Sequence, residues 1–385
     1  MSPVRIGTCL ILLVFGTLGC THKYHLSRQA SQESPWPYYR GDLAATGAIG
    51  RGSFDGKLDI LWEYKSNDKP SAPLTIAHGS LVYPGAKNRI KFLDLVTGRY
   101  QGYIKSKSNP QTGLVVADSL AFFAIAPRRD VLYCRNLHSG HVVWERPVKD
   151  AVFGSIIVSD RLIIGSGDGV LTALDLYTGE VQWSYRSDSR FTAPPAYGDG
   201  KIFQPANNGT LYVVSAADGS ELYRVDADGP MVNAVAVGEH VYGADVGGNV
   251  FSIDPGDGQV RWKVRLAGPI WTAPAVCDDQ VYVGHSGGQL VALDGLSGQR
   301  QWDYDVVDVI KASATVCGDY VIAGTMGGML YSFDRRSGAR VQQRDLGAAI
   351  AFPPVTDGHR VYVATQSGRI ICFGEQNEAR GRTDQ

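Results

Sequence analysis

Side chains that could carry out chemistry are few in this sequence, and none is spaced for a recognisable reaction. No two cysteines are adjacent or form a Cys-x-x-Cys pair, and no group of His and Cys has the spacing of a zinc site. The histidines are scattered, without a Ser or Cys at the spacing of a nucleophile and its base. The sequence therefore predicts no metal site and no catalytic residue. It predicts buried free thiols at four positions beyond Cys20, namely Cys134, Cys277, Cys317 and Cys372.

Most aspartates recur at one position of a repeated unit. The clearest copy of the unit runs from Gly165 to Trp183, GSGDGVLTALDLYTGEVQW. Asp175 ends a strand there, and Thr178-Gly179 follows as a turn whose backbone N–H groups an aspartate can cap. Several carboxylates outside this position also lack the spacing of a metal site: Asp226, Asp228, Asp303, Asp305 and Asp308.

The copies of this unit predict the fold. Each copy has three turns, and hence four short strands of alternating polarity. The residues aligned with Asp175 follow one another at intervals of 39 to 42, as Asp94, Asn136, Asp175, Ser215, Asp254, Asp294, Asp334 and Gly374. Eight such units predict an all-β, eight-bladed β-propeller of four-stranded blades.

One position of the fourth strand is rich in tryptophan. We expect these large flat side chains to wedge between neighbouring blades. The blade-docking residues are Trp62, Trp144, Trp183, Tyr223, Trp262 and Trp302. The eighth unit lacks a fourth strand, and Asp59–Ser66 near the N-terminus copies Glu180–Ser187. The N-terminal strand is therefore predicted to complete the last blade and close the ring, which leaves no open terminal edge.

The N-terminus is typical of an exported protein. Arg5 precedes an apolar stretch, residues 8–18, that is too short to cross a bilayer of about 30 Å as a helix. The following Thr-Leu-Gly-Cys resembles a bacterial lipobox, with Cys20 as the residue that would carry the lipid. We expect a signal peptide over 1–19 and a lipid-anchored flexible tether over 20–35. Secretion without a lipid remains the alternative.

Composition restricts the partners. Charged residues make up 19% of the chain, the net charge is −1, and no run of Lys or Arg stands out. A nucleic-acid partner would need a concentrated basic surface, so none is expected. We expect the propeller to span 36–374 and a disordered tail to follow over 375–385.

The repeat resembles that of the PQQ-like (quinoprotein-type) eight-bladed propellers. The resemblance covers Ile60–Phe373 and includes the lead-in WPYYRGD, which begins at Trp36 and ends in Thr46-Gly47. It is specific for fold and weak for function, because one scaffold hosts several activities. The relevant members are quinoprotein dehydrogenases and non-enzymatic lipoproteins of outer-membrane protein assembly.

The dehydrogenase branch implies features that this sequence lacks. It implies a quinone cofactor beside a Ca²⁺ held by oxygen ligands, and a disulfide between adjacent cysteines. The sequence has no Cys-Cys pair. We therefore predict a non-enzyme without cofactors, and keep a quinoprotein-type oxidoreductase or a small-ligand binder using the channel as the alternative.

The links between blades are where a binding surface is expected, because loops on a rigid scaffold carry function. Four residues fall at matching places near the channel: Phe191, Met231, Trp271 and Lys311. The second unit also has Arg128-Arg129 in a lengthened turn, which could contact a carboxylate or a lipid phosphate. These six residues form the predicted partner-binding face. The alternative is that the link residues only plug the channel and that the turn is only solvated.

Together these features predict a non-catalytic, protein-binding scaffold of the bacterial envelope. The resemblance implies a lipoprotein held at the periplasmic side of the outer membrane through a lipid anchor only. Its partners would be envelope or outer-membrane proteins, such as the β-barrel assembly machinery. A soluble periplasmic or secreted protein is the alternative.

Overall fold

A computed structural model describes residues 35–110, 112–125 and 130–375, and these ranges contain strands and turns but no helix. No segment among them is therefore a helix that could cross a membrane. Cys20, Arg128 and Arg129 lie outside the described residues. So do the predicted signal peptide, the tether up to residue 34 and the tail from residue 376.

The described strands form eight sheets, seven of four strands and one of five, numbered as blades 1 to 8 in chain order. Blade 1 comprises β3 (Thr75–Ala77), β4 (Ser80–Gly85), β5 (Arg89–Asp94) and β6 (Tyr100–Lys105), and blade 2 comprises β7 (Val115–Ala117), β8 (Leu120–Ile125), β9 (Val131–Asn136) and β10 (Val142–Pro147). Blade 3 comprises β11 (Ala151–Val158), β12 (Arg161–Ser166), β13 (Val170–Asp175) and β14 (Val181–Arg186), and blade 4 comprises β15 (Ala196–Gly198), β16 (Lys201–Pro205), β17 (Thr210–Ser215) and β18 (Glu221–Asp226). Blade 5 comprises β19 (Ala236–Val237), β20 (Val241–Ala244), β21 (Asn249–Ile253) and β22 (Val260–Arg265). Blade 6 comprises β23 (Ala275–Cys277), β24 (Gln280–His285), β25 (Gln289–Asp294) and β26 (Arg300–Asp305). Blade 7 comprises β27 (Thr315–Cys317), β28 (Tyr320–Gly324), β29 (Met329–Asp334) and β30 (Arg340–Asp345). Blade 8 comprises β31 (Val355–Thr356), β32 (Val361–Ala364), β33 (Arg369–Phe373) and β2 (Ile60–Lys65), and the short β1 (Ala48–Ile49) adds to blade 7.

Blade 8 is completed by the N-terminal strand, so the predicted ring closure is confirmed. β2 pairs antiparallel with β33, and Trp62 lies opposite Cys372. The Arg369 guanidinium binds both oxygens of the Glu63 carboxylate at 2.8 Å, a bidentate geometry that fixes the two strands relative to each other.

Burial in a blade follows the place of the strand. β4 and β8, which have neighbours on both faces, are buried along their whole length and are almost continuously apolar. The outer strand β14 has a neighbour on one edge only, and there Trp183 is buried while Val181 and Ser184 are exposed. The four cysteines predicted to be free thiols are buried and unpaired, as expected.

The repeated aspartates have a structural role. The Asp175 carboxylate accepts hydrogen bonds from the backbone N–H groups of Tyr177 and Thr178 and from the Thr178 hydroxyl. These bonds favour the ionised form and lower the pKa of Asp175. Asp294 and Asp334 cap their turns in the same way. The aspartate of each such unit therefore holds the turn and is not available as a ligand.

Neighbouring blades are joined by the tryptophans. The indole N–H of Trp144 donates to the carbonyl of Leu176 in blade 3, at 3.0 Å, and its ring packs beneath the turn at Gly179. A Cβ on Gly179 would lie 2.6 Å from that ring. The same contact recurs for Trp62, Trp183, Trp262 and Trp302, and Tyr223 donates its hydroxyl to Pro255 in the equivalent place. The aromatic side chain in the docking position thus holds a blade to the next at six of the eight junctions.

Two junctions lack this lock and use other contacts. Gly102 occupies the docking position of blade 1, and there the buried Arg135 of blade 2 donates to the carbonyl of Lys105 at 2.9 Å. Gln342 occupies the position in blade 7, and its side-chain oxygen accepts from the backbone N–H of Leu58 at 2.7 Å. Blade 8 has no turn between its third and fourth strands, because its fourth strand, β2, comes from the N-terminal part of the chain. The Gln342 side chain therefore binds the segment just before β2 in place of such a turn.

A strap of residues 36–54 runs around the inside of the ring. Its backbone bonds in turn to the innermost strands or their turns in blades 1, 2, 4, 5, 6, 7 and 8, and β1 pairs parallel with β27. The bonds to the inner strands join, for example, Ile76 N–H to Trp36 O, Tyr197 N–H to Leu43 O and Val276 N–H to Thr46 O. The lead-in motif therefore closes the channel and ties the blades together at its centre.

Arg40 anchors this strap. It is 1% exposed, and its two terminal nitrogens donate to the carbonyls of Ala314, at 3.0 Å, and Pro274, at 3.2 Å. Burial away from water lowers the pKa of Arg40 to about 10. The guanidinium packs directly on Gly47, where an added Cβ would lie 1.9 Å from it. The Arg-Gly spacing of the lead-in thus reflects a packing contact.

We predict that Gly179→Ala destabilises the protein more than Gly140→Ala. Both glycines hold the same turn position at nearly the same backbone angle, φ +68° and +70°, so the strain of a left-handed alanine is equal. A Cβ at Gly179 meets the Trp144 ring, whereas a Cβ at Gly140 meets nothing within 4 Å. Urea unfolding is expected to show an additional loss of about 1–3 kcal/mol for Gly179→Ala. Equal losses would contradict the docking role of Trp144.

We predict that Gly47 and Arg40 are energetically coupled. Gly47→Ala is expected to lower the free energy of unfolding, because its Cβ collides with the guanidinium. In an Arg40→Ala background that collision is gone, and only the cost of the left-handed backbone at φ +65° remains. A double-mutant cycle measured by urea unfolding should therefore give a coupling of about 1–3 kcal/mol. Additive losses would disprove the contact.

Candidate partner-binding site

The loops of the propeller divide between two faces, because successive strands of a blade run in opposite directions. The turns between second and third strands, and the links from one blade to the next, lie on one face, which we name the link face. The turns between first and second strands, and between third and fourth strands, lie on the other, the back face. The predicted link residues belong by topology to the link face, whereas Arg128 and Arg129 lie outside the described residues.

The channel opens on the link face as a small cavity of about 190 Å³. Its floor is Tyr39 of the strap, whose hydroxyl donates to the side-chain oxygen of Asn233 at 2.9 Å. The Asn233 side-chain NH₂ in turn donates to the backbone carbonyl of Trp271. The remaining wall is mostly apolar and comes from several links: Pro73, Thr192, Pro194, Val232, Lys311, Ala351, Phe352 and Pro353. We name this cavity the channel mouth.

The predicted link residues separate into a buried pair and an exposed pair. Phe191 and Met231 are 1% and 0% exposed, so they fill the interior and offer nothing to a partner. Trp271 is 40% exposed, and the Lys311 ammonium lies 5.9 Å from the centre of its ring. The prediction that all four share one surface is therefore corrected: only Trp271 and Lys311 face solvent.

The cause is a difference of one residue in register. Phe191 and Met231 lie five residues before their inner strands, β15 and β19, whereas Trp271 and Lys311 lie four residues before β23 and β27. The residue five before β27 is Ile310, which is buried and packs where Gly284 has no side chain. The inner strands of blades 5 and 6 begin 39 residues apart rather than 40, so a count at constant period aligns the wrong residues.

Trp271 and Lys311 form a cation–π pair on a rigid frame. An ammonium within about 6 Å of an indole face is attracted by the ring quadrupole. The pair is held by two different links, those entering blades 6 and 7, and the hydrogen bond from Asn233 fixes the backbone of Trp271. It therefore presents one large apolar ring and one positive charge at the rim of the channel mouth.

Ring closure also brings together a serine and a histidine that are 306 residues apart in sequence. The Ser53 hydroxyl lies 2.6 Å from Nδ1 of His359, and both residues are exposed. The neighbouring Asp357 carboxylate accepts from the backbone N–H of His359, not from its ring. The pair fastens the strap to blade 8 and lacks the oriented carboxylate of a catalytic triad.

The residues of the channel do not fit a quinone with its metal ion. Among the described residues no group of three or more His, Cys, Asp or Glu side chains could hold a metal. Tyr39 and Arg40 of the strap occupy the centre of the ring, where Arg40 is enclosed by protein. The side chains described at the channel mouth are apolar, amide, hydroxyl and ammonium groups, which are not the oxygen-rich donors that Ca²⁺ requires.

Comparisons with known proteins agree with the fold. Outer membrane protein assembly factor BamB of Yersinia pestis is 25% identical over 161 residues, 37% of this chain and 41% of that protein. The matched part of the chain thus spans less than half the length of this curated relative. The crystal structure of BamB from Moraxella catarrhalis has a TM-score of 0.72 at 14% identity and covers 83% of this chain and 100% of that chain.

The fold is shared with enzymes as well. The quinohemoprotein alcohol dehydrogenase from Comamonas testosteroni has a TM-score of 0.76 at 12% identity and covers 90% of this chain and 82% of that chain. Identities this low show the fold alone. The family model PQQ_2, described as outer membrane protein assembly factor BamB, matches residues 86–190, 167–242 and 232–384. Since these segments together span most of the chain, the protein belongs to the PQQ_2 family.

Proposed function

We propose that this protein is a non-catalytic scaffold that binds proteins during outer-membrane protein assembly, as its BamB relatives are named to do. The observation that carries the proposal is the exposed Trp271–Lys311 pair at the channel mouth. A tryptophan in contact with a lysine fits this role, because tryptophan is enriched among the residues whose truncation costs the most binding energy in protein interfaces. The link face is the binding face in this proposal, and Arg128 and Arg129 are proposed to contribute to binding.

We also propose that the protein acts at the periplasmic side of the outer membrane, held by a lipid on Cys20. Two observations support this: the N-terminal pattern that ends in Thr-Leu-Gly-Cys, and the BamB description of the matching family. The partners are then envelope or outer-membrane proteins of the β-barrel assembly machinery. The membrane is reached only through the lipid.

Trp271→Ala is expected to reduce partner capture by about tenfold or more, because truncation of a central interface tryptophan costs about 2 kcal/mol or more. The assay immobilises the full chain, incubates it with solubilised outer-membrane extract and identifies β-barrel assembly components by mass spectrometry. Folding should be unaffected, since the ring is partly in water and the backbone hydrogen bond from Asn233 is retained.

Tyr177→Ala is the matched control for that experiment. Tyr177 is an aromatic residue of similar exposure, 53%, but it lies in a turn on the back face. It should leave capture within about twofold of the unmodified chain. Equal losses in both variants, or no assembly component captured by the unmodified chain, would refute the proposed function.

The shared fold of the alcohol dehydrogenases supports one competing function, a quinone-dependent oxidoreductase. We predict that pyrroloquinoline quinone with Ca²⁺ leaves the melting temperature of the purified chain unchanged and produces no dye-linked dehydrogenase activity. The physical reason is the lack, among the described residues, of a carboxylate cluster for the ion. A ligand in large excess over its Kd would add about 3 kcal/mol of stability. A clear rise in melting temperature would therefore favour the enzyme.

A further inference from the structure

Five basic side chains lie together on the link face of blades 8 and 1, and we name them the basic rim. They come from the end of β2, the link to β3, the turn before β5, the start of β5 and the end of β6. In that order they are Lys65, Lys69, Lys87, Arg89 and Lys105; the four lysines are exposed and the arginine is half-buried. Among the described residues, none of the five forms an ion pair with a carboxylate.

Backbone contacts make the basic rim contiguous. The carbonyl of Lys69 accepts from the N–H of Ala86, beside Lys87, at 3.0 Å. Arg89 and Lys105 are direct partners across β5 and β6. Lys65 lies opposite Arg369 across β2 and β33. These contacts join positive charges from two neighbouring blades into one surface.

The basic rim is unfavourable for the isolated fold. Like charges placed directly opposite each other across a sheet are destabilising. Glu63 neutralises Arg369, but Arg89 and Lys105 have no carboxylate, and the Arg89 guanidinium instead stacks at 4.6 Å over Tyr103. In blades 4, 6 and 7 the same cross-strand position pairs an aspartate with Thr210, Gln289 or Met329, which creates no such repulsion.

The nearby carboxylates do not remove this charge from the surface. Asp68 lies beneath the basic rim, is fully buried, and accepts from the backbone N–H of Lys87 at 2.8 Å. Glu145 is paired with Lys107 on the next blade. The positive side chains of the basic rim therefore point to an anion supplied from outside the chain.

We propose that the basic rim binds an extended acidic segment of a partner protein. This inference rests on the proposed function and specifies the chemistry of its partner. The five residues lie at the link-face ends of their strands, so a segment that contacts all of them runs across the blade ends and not along the edge of β6. Alternate side chains of an extended segment lie about 7 Å apart on one face, a spacing that lets successive carboxylates reach successive cations of the basic rim.

The point at which the described chain begins, Pro35, favours a polypeptide over a lipid surface as the occupant. Pro35 lines the broad depression at the centre of the back face, together with Gly79, Gly198 and His359 from turns of three blades. The chain therefore enters the ring from the back face. With the proposed lipid anchor before that point, the chain leaves the ring toward the membrane from the back face, whereas the basic rim lies on the link face.

The test uses a labelled peptide of alternating glutamate and threonine, with a glutamine-for-glutamate peptide as its neutral counterpart. Fluorescence anisotropy is expected to show binding of the acidic peptide only, weakening as salt rises from about 0.05 M to about 0.5 M. Lys87→Glu/Lys105→Glu should weaken this binding by about tenfold or more. The matched control, Arg99→Glu/Arg336→Glu, makes the same change in net charge on the back face and should change binding by less than about twofold.

Three outcomes of this test would overturn the inference. Equal weakening by both variants would show a long-range effect of net charge. Equal binding of the neutral peptide would show that carboxylates are not recognised. Binding of phosphatidylglycerol vesicles through Lys87 and Lys105, without binding of the acidic peptide, would assign the basic rim to lipid. Thermal unfolding controls for folding, and Lys105→Glu should not lower stability, because it places a carboxylate opposite Arg89.

The capture assay separates this inference from the proposed function. If the unmodified chain captures assembly components and Lys87→Glu/Lys105→Glu captures them equally, the proposed function stands and the basic rim is not the binding site of the partner. If the unmodified chain captures none, the proposed function fails even where the acidic peptide binds. Loss of both peptide binding and capture in the basic-rim variant, but not in the back-face variant, is the expected result.

Discussion

The contact between a tryptophan on one blade and a glycine turn on the next is the constraint on which this ring depends. A four-stranded blade has two faces to bury and too little core of its own, so it is stable only against its neighbours. The indole supplies apolar area and one hydrogen bond, as from Trp144 to Leu176, and Gly179 leaves the space for it. Arg135 and Gln342 show that a junction can be made differently, provided that the backbone polar groups find partners.

The strap turns this ring into a disc with two unlike faces. Because residues 36–54 bond to the innermost strands, the channel is filled and its link-side opening becomes a shallow mouth with Tyr39 as its floor. A filled centre stiffens the innermost strands, which are only two or three residues long in most blades. The features that we assign to function therefore lie on the surface, namely the Trp271–Lys311 pair and the charges of the link face.

The fold was predictable from sequence, whereas the site was predictable only in part. Period, turn glycines and the copied strand at 59–66 determine blade number and closure, since each is a local signal repeated many times. Trp271 was assigned to a link because its position matches those of Phe191, Met231 and Lys311 and lies outside the blade-docking position. Phe191 and Met231 were misplaced on the exposed face because a one-residue shortening between blades 5 and 6 is invisible to a count of aligned turns. The meeting of Ser53 with His359 depends on closure and carries no sequence signal of its own.

Net charge is a poor guide to the surface of such a disc. The net charge of the chain is −1, but negative and positive side chains are concentrated on different faces. The capping aspartates recur in the turns of the back face, as Asp94 does in blade 1, whereas the basic rim of blades 8 and 1 lies on the link face. The capping aspartates are required by the repeated fold, since each turn needs a cap. The side chains of the lysines at 65, 69, 87 and 105 cap no turn, and their ammonium groups pair with no carboxylate among the described residues. A charge that the fold does not require, at a position where it costs stability, is better explained by a partner than by the ring itself.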